Sequence, residues 1–435
     1  MLISRRTLHE VDEALRNTSG PLRFVSVDID LDPLDLVRAG SEAFGWAGFF
    51  SSLTGRSIGA LGTAAAFVAS GSGRLSAIDE QIADLPDGVS LFVGFAFDEC
   101  GPSGVDWEGF PSATAVLPEV SVVRAGGRSL LTVVVRPGSD GRLLLGLLSA
   151  LRRPTDVVGE REIDHTVESR PAPNDWRDLV GEAIGSIGAG ELDKVVLART
   201  VLVHTPRSLG SFDLVAQVRD RHPDCRIFGW RQGNSMFLGA TPELLVTRER
   251  ERFQISPLAG SGPRGVDADD DRRLGDELLA SEKDRLEHSI VVDDVVRRLT
   301  PFTKGITHPS VPVLERFATV QHLATPIAGS TDHRILDLAG VLHPTAAVGG
   351  FPRSEALAFI AKQEGIDRGW YSGGIGWIEP GGDGEIAVAL RCALVRGDQA
   401  IIYAGNGIVK GSDPGDELAE TRLKLRPMLD LLTGR

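Results

Sequence analysis

The sequence predicts an α+β fold: large, mainly antiparallel sheets with helices packed outside them. Three observations predict it. Near the C-terminus, three strand-like runs, "GWYSGGIGWIEP", "EIAVALRCALV" and "AIIYAGNGIV", follow one another through the turns "GGDG" and "RGDQ". Strands joined by short turns pair antiparallel. Upstream, "RIFGW", "SMFLGA", "ELLVTRE" and "RFQISPLAG" succeed each other as short strand-like runs, another antiparallel signature. The regular strand–helix–strand alternation and glycine fingerprint of a dinucleotide fold are missing.

Composition sets the class. The chain has 435 residues, 42% apolar and 24% charged, enough for a large core. A net charge of −14 with no Lys/Arg-rich stretch argues against a nucleic-acid partner. Cys100, Cys225 and Cys392 are too scattered for a disulfide framework or a zinc site, so a reducing compartment is expected. "MLISRRTLHEVDEAL" has no apolar signal core, and runs such as "LLLGLL" are too short to span a bilayer. The expectation is a soluble cytoplasmic protein without a membrane partner. No exposed coiled-coil seam speaks against the monomer that the family resemblance given below implies.

The elements follow in order. Residues 1–170 carry short strand-like runs, including "PLRFVSVDIDL", "SLFVGFAF" and "RSLLTVVV". The polar, proline-punctuated stretch 152–174 is the best seam. Residues 171–435 mix helices and strands, and the two halves are expected to form one unit. Asn174 is placed as the cap of a helix ending at Gly188 or Gly190. "LDKVVLARTVLV" alternates as a strand. One helix is expected from about Asp270 to Leu299, a second from near Leu342, and a last one from "GSDPG" to Leu432.

Two of these helices carry acids in line with apolar residues. Asp284, Glu287, Val291 and Val295 share one helical face, and so do Glu417, Glu420, Lys424, Met428 and Leu431. Like charges at this spacing cost about 0.2–0.5 kcal/mol on a bare helix, and far more when buried without a partner. Two facing carboxylate pairs suit a hard divalent ion such as magnesium, with one direct ligand and one outer-shell acid per helix. The competing reading is a solvated charged face with the pairs Lys283–Glu287 and Glu420–Lys424.

Other candidates stand on strands and turns. Lys194, on a strand face with Val196 and Ala198, could act as a base if its apolar neighbours lower its pKa; the alternative is an edge lysine reaching to water. Arg391 shares a predicted face with Ala387, Ala389 and Ala393, leaving room to clamp a carboxylate or to form a structural ion pair. Gly405 and Gly407 in "YAGNGIVKGSDP" could bring backbone N–H groups to an anion, or simply form a turn. Glu243 in "GATPELLV" reads alone as a surface acid. His322 and His343 could bond a ligand or sit as structural histidines.

Together, "LDKVVLART", "GATPELLV", "SPLAGSGPRG", "ASEKDRLEH", "VQHLATPIAGS", "LHPTAAVGGFP", "DRGWYSGGIGW", "ALRCA" and "YAGNGIVKGSDPGDELAETRLKL" resemble the ordered motifs of the chorismate-utilising enzymes, and most closely the isochorismate synthases of menaquinone and siderophore pathways. The resemblance covers roughly residues 170–432. It makes 171–435 the chorismate-binding catalytic half, in an anthranilate synthase component I-like fold. It also implies a magnesium-dependent isomerase that adds water at carbon 2 of chorismate and expels the hydroxyl from carbon 4.

By the same resemblance, Lys194 would be the base and Glu243 the acid. Glu287 and Glu420 would hold magnesium, with Asp284 and Glu417 behind them through water. Tyr371, Arg391, Gly405 and Gly407 would grip the enolpyruvyl carboxylate, while His322 and Lys424 line the site. Ala347 stands where aminating and salicylate-forming relatives have threonine, and matches isochorismate synthases. Asn406 departs from the pattern, because relatives often carry a small residue there. The alternatives are a salicylate synthase, which would go on to release pyruvate, and a non-catalytic subunit that keeps the fold.

Overall fold

A computed structural model describes the chain except residues 19, 21, 137–140, 156–161, 207 and 319. Part of the expected seam therefore lies outside the described residues.

Two large sheets dominate, and every strand pairing described is antiparallel. The first has twelve strands. Its centre runs Trp46–Ser51, Arg226–Gln232, Ser235–Thr241, Cys392–Arg396, Gln399–Val409 and Lys194–His204. The second has nine strands, with Leu244–Glu249, Gly384–Val388, Gly374–Ile378 and Leu91–Phe95 in its middle. A three-stranded sheet, Leu258–Pro263, Val320–Ala324 and Val313–Arg316, lies off these two.

Both large sheets run through both halves of the chain. Trp46–Ser51 pairs with Arg226–Gln232, and Leu91–Phe95 pairs with Gly374–Ile378. Thr166–Arg170, inside the expected seam, pairs with the strand Lys194–His204. Aromatic residues of both sheets share one core: Trp46, Phe50, Trp230 and Phe237 from the first meet Phe92, Ile375 and Trp377 from the second. Edge-to-face contacts such as Trp46–Phe92, with centroids 5.4 Å apart, add to the burial.

Several local expectations are corrected. The helix expected from Asp270 to Leu299 is two helices, Ala268–Ala280 and Glu282–Leu299. Ser281 between them has extended backbone, and its side chain accepts from the Asp284 N–H, capping the second helix. Leu342 ends a helix, Ile335–Leu342, instead of starting one; the next helix is Arg353–Gln363. The helix Pro173–Gly188 starts one residue before Asn174, with Pro173 at its first position and Ala172 as its cap.

"EIAVALRCALV" is not one strand. It breaks between Gly384–Val388 in the second sheet and Cys392–Arg396 in the first. Arg391 sits in the break, with a φ of 46°. It therefore does not share a strand face with Ala387 and Ala393.

That break shapes the molecule. The chain also crosses from first sheet to second between Thr241 and Leu244, carrying Glu243. The two crossings lie side by side: Val388 N–H donates to Glu243 O at 3.1 Å, and Ala240 N–H donates to Arg391 O at 3.1 Å. The Thr241 hydroxyl closes the corner by donating to Val388 O at 2.6 Å.

Candidate active site

A cleft opens where these crossings meet the paired strands Lys194–His204 and Gln399–Val409. Glu243, Glu287, His322, Ala347, Tyr371, Arg391, Gly405, Gly407 and Lys424 all line it. Lys194, Asp284, Glu417 and Glu420 are not among the lining residues. The cleft holds about 60 Å³.

Glu243 is not a surface acid. It is buried in the sheet crossing, and burial pushes its carboxyl up to about 8 against the opposing pull of Lys194, Arg391 and Lys424. The proline before it and the strands around it hide this from sequence reading.

Lys194 has no exposed surface. Its Nζ lies 3.0 Å from Glu287 Oε1, yet off the line of a hydrogen bond, and none of its N–H groups is bonded. The lysine is thus held electrostatically, without a fixed hydrogen-bond partner. Gly407 makes this possible: a Cβ there would stand 2.2 Å from Glu287 Oε1 and 2.7 Å from Lys194 Cε. At Gly405 a Cβ would meet Leu197 O at 2.7 Å and the Tyr371 hydroxyl at 2.9 Å. Both glycines belong to a regular strand, opposite Val196 and Ala198. They make room for side chains, and both stand in this strand and not in the turn that was the alternative reading.

Arg391 is held in left-handed backbone, a strained state for a non-glycine residue. Burial lowers its pKa from the ordinary arginine value. Its Nη2 lies 3.3 Å from His322 Nε2. A guanidinium only donates, so Nε2 accepts and the proton sits on Nδ1, 2.9 Å from Ser261 Oγ. Burial holds His322 well below the ordinary histidine range, which fits this neutral tautomer. Ser372, next to Tyr371, also has a positive φ, 61°. Tyr371 stacks on Tyr403 with centroids 5.1 Å apart. His343, the other histidine singled out, does not line this cleft; its Nε2 lies 2.9 Å from Ser372 O.

The acids on the two helices are each matched locally. Lys283 Nζ donates to Glu417 Oε1 at 2.8 Å, and Lys424 Nζ lies 2.7 Å from Glu420 Oε1. The Ser281 hydroxyl donates to Asp284. The expected Lys283–Glu287 pair is therefore replaced by a bond between helices, while Glu420–Lys424 forms. Asp284 and Glu417 are pushed up, first by burial and then by neighbouring acids: Glu287 and Glu420 act on Asp284, and Glu420 on Glu417. Glu420 is held below its ordinary value; burial opposes this, and Lys424 and Lys283 outweigh it. Among the described residues no three His, Cys, Asp or Glu side chains form a ready-made metal group.

Sequence reasoning missed several neighbours. Buried His288 lies beside Glu287, with Nε2 2.7 Å from Thr325 Oγ1; burial lowers it to about 4. The buried pair Arg368–Glu364 braces the Lys194 strand from behind: Arg368 donates to Val196 O at 2.7 Å, and Glu364 Oε2 accepts from Ala198 N–H at 2.8 Å. No periodicity or spacing signals such a brace, because its partners are backbone atoms distant in sequence.

Known proteins share this architecture. The salicylate biosynthesis isochorismate synthase of Pseudomonas aeruginosa is 38% identical over 82% of this chain and 76% of its own length. Isochorismate synthase MenF of Bacillus subtilis is 36% identical over 82% and 77%. Among solved structures, the menaquinone-specific isochorismate synthase MenF of Escherichia coli superposes with a TM-score of 0.86 at 27% identity, covering 98% of this chain and 99% of that one. Anthranilate synthase component I of Streptococcus pneumoniae, at 22% identity and a TM-score of 0.70 over 87% and 92%, shares the fold. No helix among the described residues is long and apolar enough to cross a membrane. With residues 9–433 matching the chorismate binding enzyme family, the chain belongs to that family.

Proposed function

We propose that this protein is an isochorismate synthase: it adds water at carbon 2 of chorismate, expels the hydroxyl from carbon 4, and shifts the double bonds. The observation that carries the reading is Glu243, a buried carboxyl lifted to about 8 on the wall of the cleft. Such a group is still protonated at neutral pH and can donate to a departing hydroxyl. Lys194, buried beside the cleft without a hydrogen-bond partner, takes the proton of the incoming water as the neutral amine, whose nitrogen lone pair is the only site on this side chain that can accept one. One proton is taken and one is given, so the step is a net isomerisation. Arg391 keeps donors free beyond its contact with His322 for the enolpyruvyl carboxylate, and Tyr371 lies on the same wall.

Magnesium belongs to this reading. Glu287 and Glu420 would hold it, with Asp284 and Glu417 reaching it through water. The donor set fits: hard carboxylate oxygens from two helices, close enough for Asp284 and Glu417 to feel the other acids. Magnesium needs only one or two direct carboxylates, keeping waters and a ligand anion for the rest. When bound, it would neutralise the ring carboxylate near the reacting carbons.

The relatives' names include salicylate biosynthesis and a menaquinone-specific enzyme. Isochorismate formation is common to both, and it is the reaction assigned here. Incubation with chorismate and magnesium, followed by chromatography, should yield isochorismate. Salicylate appearing without an added lyase would instead establish a salicylate synthase. Unchanged chorismate would leave a binding subunit.

A further inference from the structure

Asn406 lies beneath the cleft, with only 1% of its surface exposed. It sits between Gly405 and Gly407, which line the cleft, but does not line it itself. Its amide is almost fully used. Nδ2 donates to Glu417 O at 2.8 Å and to Glu417 Oε2 at 3.0 Å. Oδ1 accepts from Lys424 Nζ at 3.1 Å. The lysine can only donate, so it fixes which end of the amide faces which partner.

Each partner is over-determined by this bridge. The Lys424 ammonium has three N–H groups, and the structure places three acceptors around it: Glu420 Oε1 at 2.7 Å, Gly405 O at 3.1 Å and Asn406 Oδ1 at 3.1 Å. Glu417 has one oxygen on Lys283 and the other on Asn406. One neutral side chain therefore sets the direction of a cleft-lining cation and of a buried acid on the same helix, Pro414–Thr433. A small residue at this position would offer neither bond. Glu417 would lose one of its side-chain partners, Lys283, Asn406 and Ser412, and Lys424 one of its three acceptors.

We propose that Asn406 is a positioning residue: it fixes Lys424 on the cleft wall and orients Glu417 toward the magnesium water shell. This rests on the isochorismate synthase reading. Loss of an outer-shell partner typically weakens metal binding or activity by about 10–100-fold, and the effect here should fall on binding more than on turnover.

Three proteins test it: wild type, Asn406→Ala and Asn406→Asp. Asn406→Asp keeps the shape and the acceptor facing Lys424 but replaces the donor to Glu417 with a carboxylate oxygen placed 3.0 Å from Glu417 Oε2. Three quantities are read: the kcat and KM for chorismate, and the magnesium concentration giving half of the magnesium-induced rise in Tm. The last needs no turnover. Asn406→Ala should raise KM about tenfold or more and the magnesium midpoint by a similar factor, with kcat within about threefold. Asn406→Asp should leave KM near wild type and shift only the magnesium midpoint.

A wild-type KM and magnesium midpoint in Asn406→Ala would overturn the proposal, as would a loss confined to kcat. Equal effects of both substitutions on KM would overturn the role assigned toward Lys424. If the alanine variant fails to fold, the isosteric aspartate variant still decides the role toward Glu417. Wild type that turns over chorismate while the variants match it defeats this inference alone; wild type that leaves chorismate unchanged defeats the functional reading beneath it.

Discussion

Glu243→Gln keeps the size and shape of the side chain but removes its titration, and so isolates the proton held in the sheet crossing. The folded-state carboxyl sits at about 8, against 4.5 when unperturbed. Below 4.5 both folded and unfolded chains carry the proton and pH has no effect through this group. Between 4.5 and about 8 the folded chain keeps a proton that the unfolded chain has released, so stability falls as pH rises. The slope is about 1.4 kcal/mol per pH unit, or about 5 kcal/mol across the window at most. Glutamine has no such slope. Denaturant unfolding of both proteins between about pH 5 and 8 should show the variant gaining on wild type by about 1.4 kcal/mol per pH unit, since other groups cancel in the difference. The same substitution should lower kcat by about 10²–10⁴-fold while leaving KM for chorismate nearly unchanged. Two parallel stability curves would mean that Glu243 is ionised in the folded state, and the acid role would fall with it.

Other substitutions probe the remaining wall. Lys194→Ala should lower kcat by about 10²–10⁴-fold with the fold retained by circular dichroism; full activity would remove the base. Gly407→Ala inserts a methyl group 2.2 Å from Glu287 Oε1, and overpacking of this kind costs about 1–3 kcal/mol. It should cut turnover more than tenfold with a modest fall in Tm, and an unaffected rate would show that the Lys194–Glu287 spacing is unimportant. EDTA should abolish turnover and added magnesium should restore it; a rate indifferent to the chelator would rule out the metal role of Glu287 and Glu420.

Much of the fold was legible because antiparallel strands joined by short turns leave local signatures. The turns "GGDG" and "RGDQ", and the alternation in Lys194–His204, needed no tertiary information. The acid stripe of Glu282–Leu299 was equally plain, although the break at Ser281 was not. A serine that caps one helix while ending another looks, in sequence, like a tolerated polar residue within a single helix. Arg391 shows the limit more sharply. In sequence it lies inside an apolar strand pattern, and only the passage from one sheet to the other turns that stretch into a left-handed corner.

The sequence by itself determined the residue types at the site, their order, the antiparallel class and the family resemblance, because each is written in local pattern or in motif spacing. The tertiary structure decided the chemistry those residues can perform. Glu243 is an acid worth considering only because two sheet crossings bury it. Lys194 meets Glu287 only because Gly407 leaves the gap between them. Lys283 bonds to Glu417, not to its helical neighbour, because a second helix brings a buried carboxylate closer. Burial and pairing across distant segments set the charge and direction of these groups, and neither can be read from spacing along one chain.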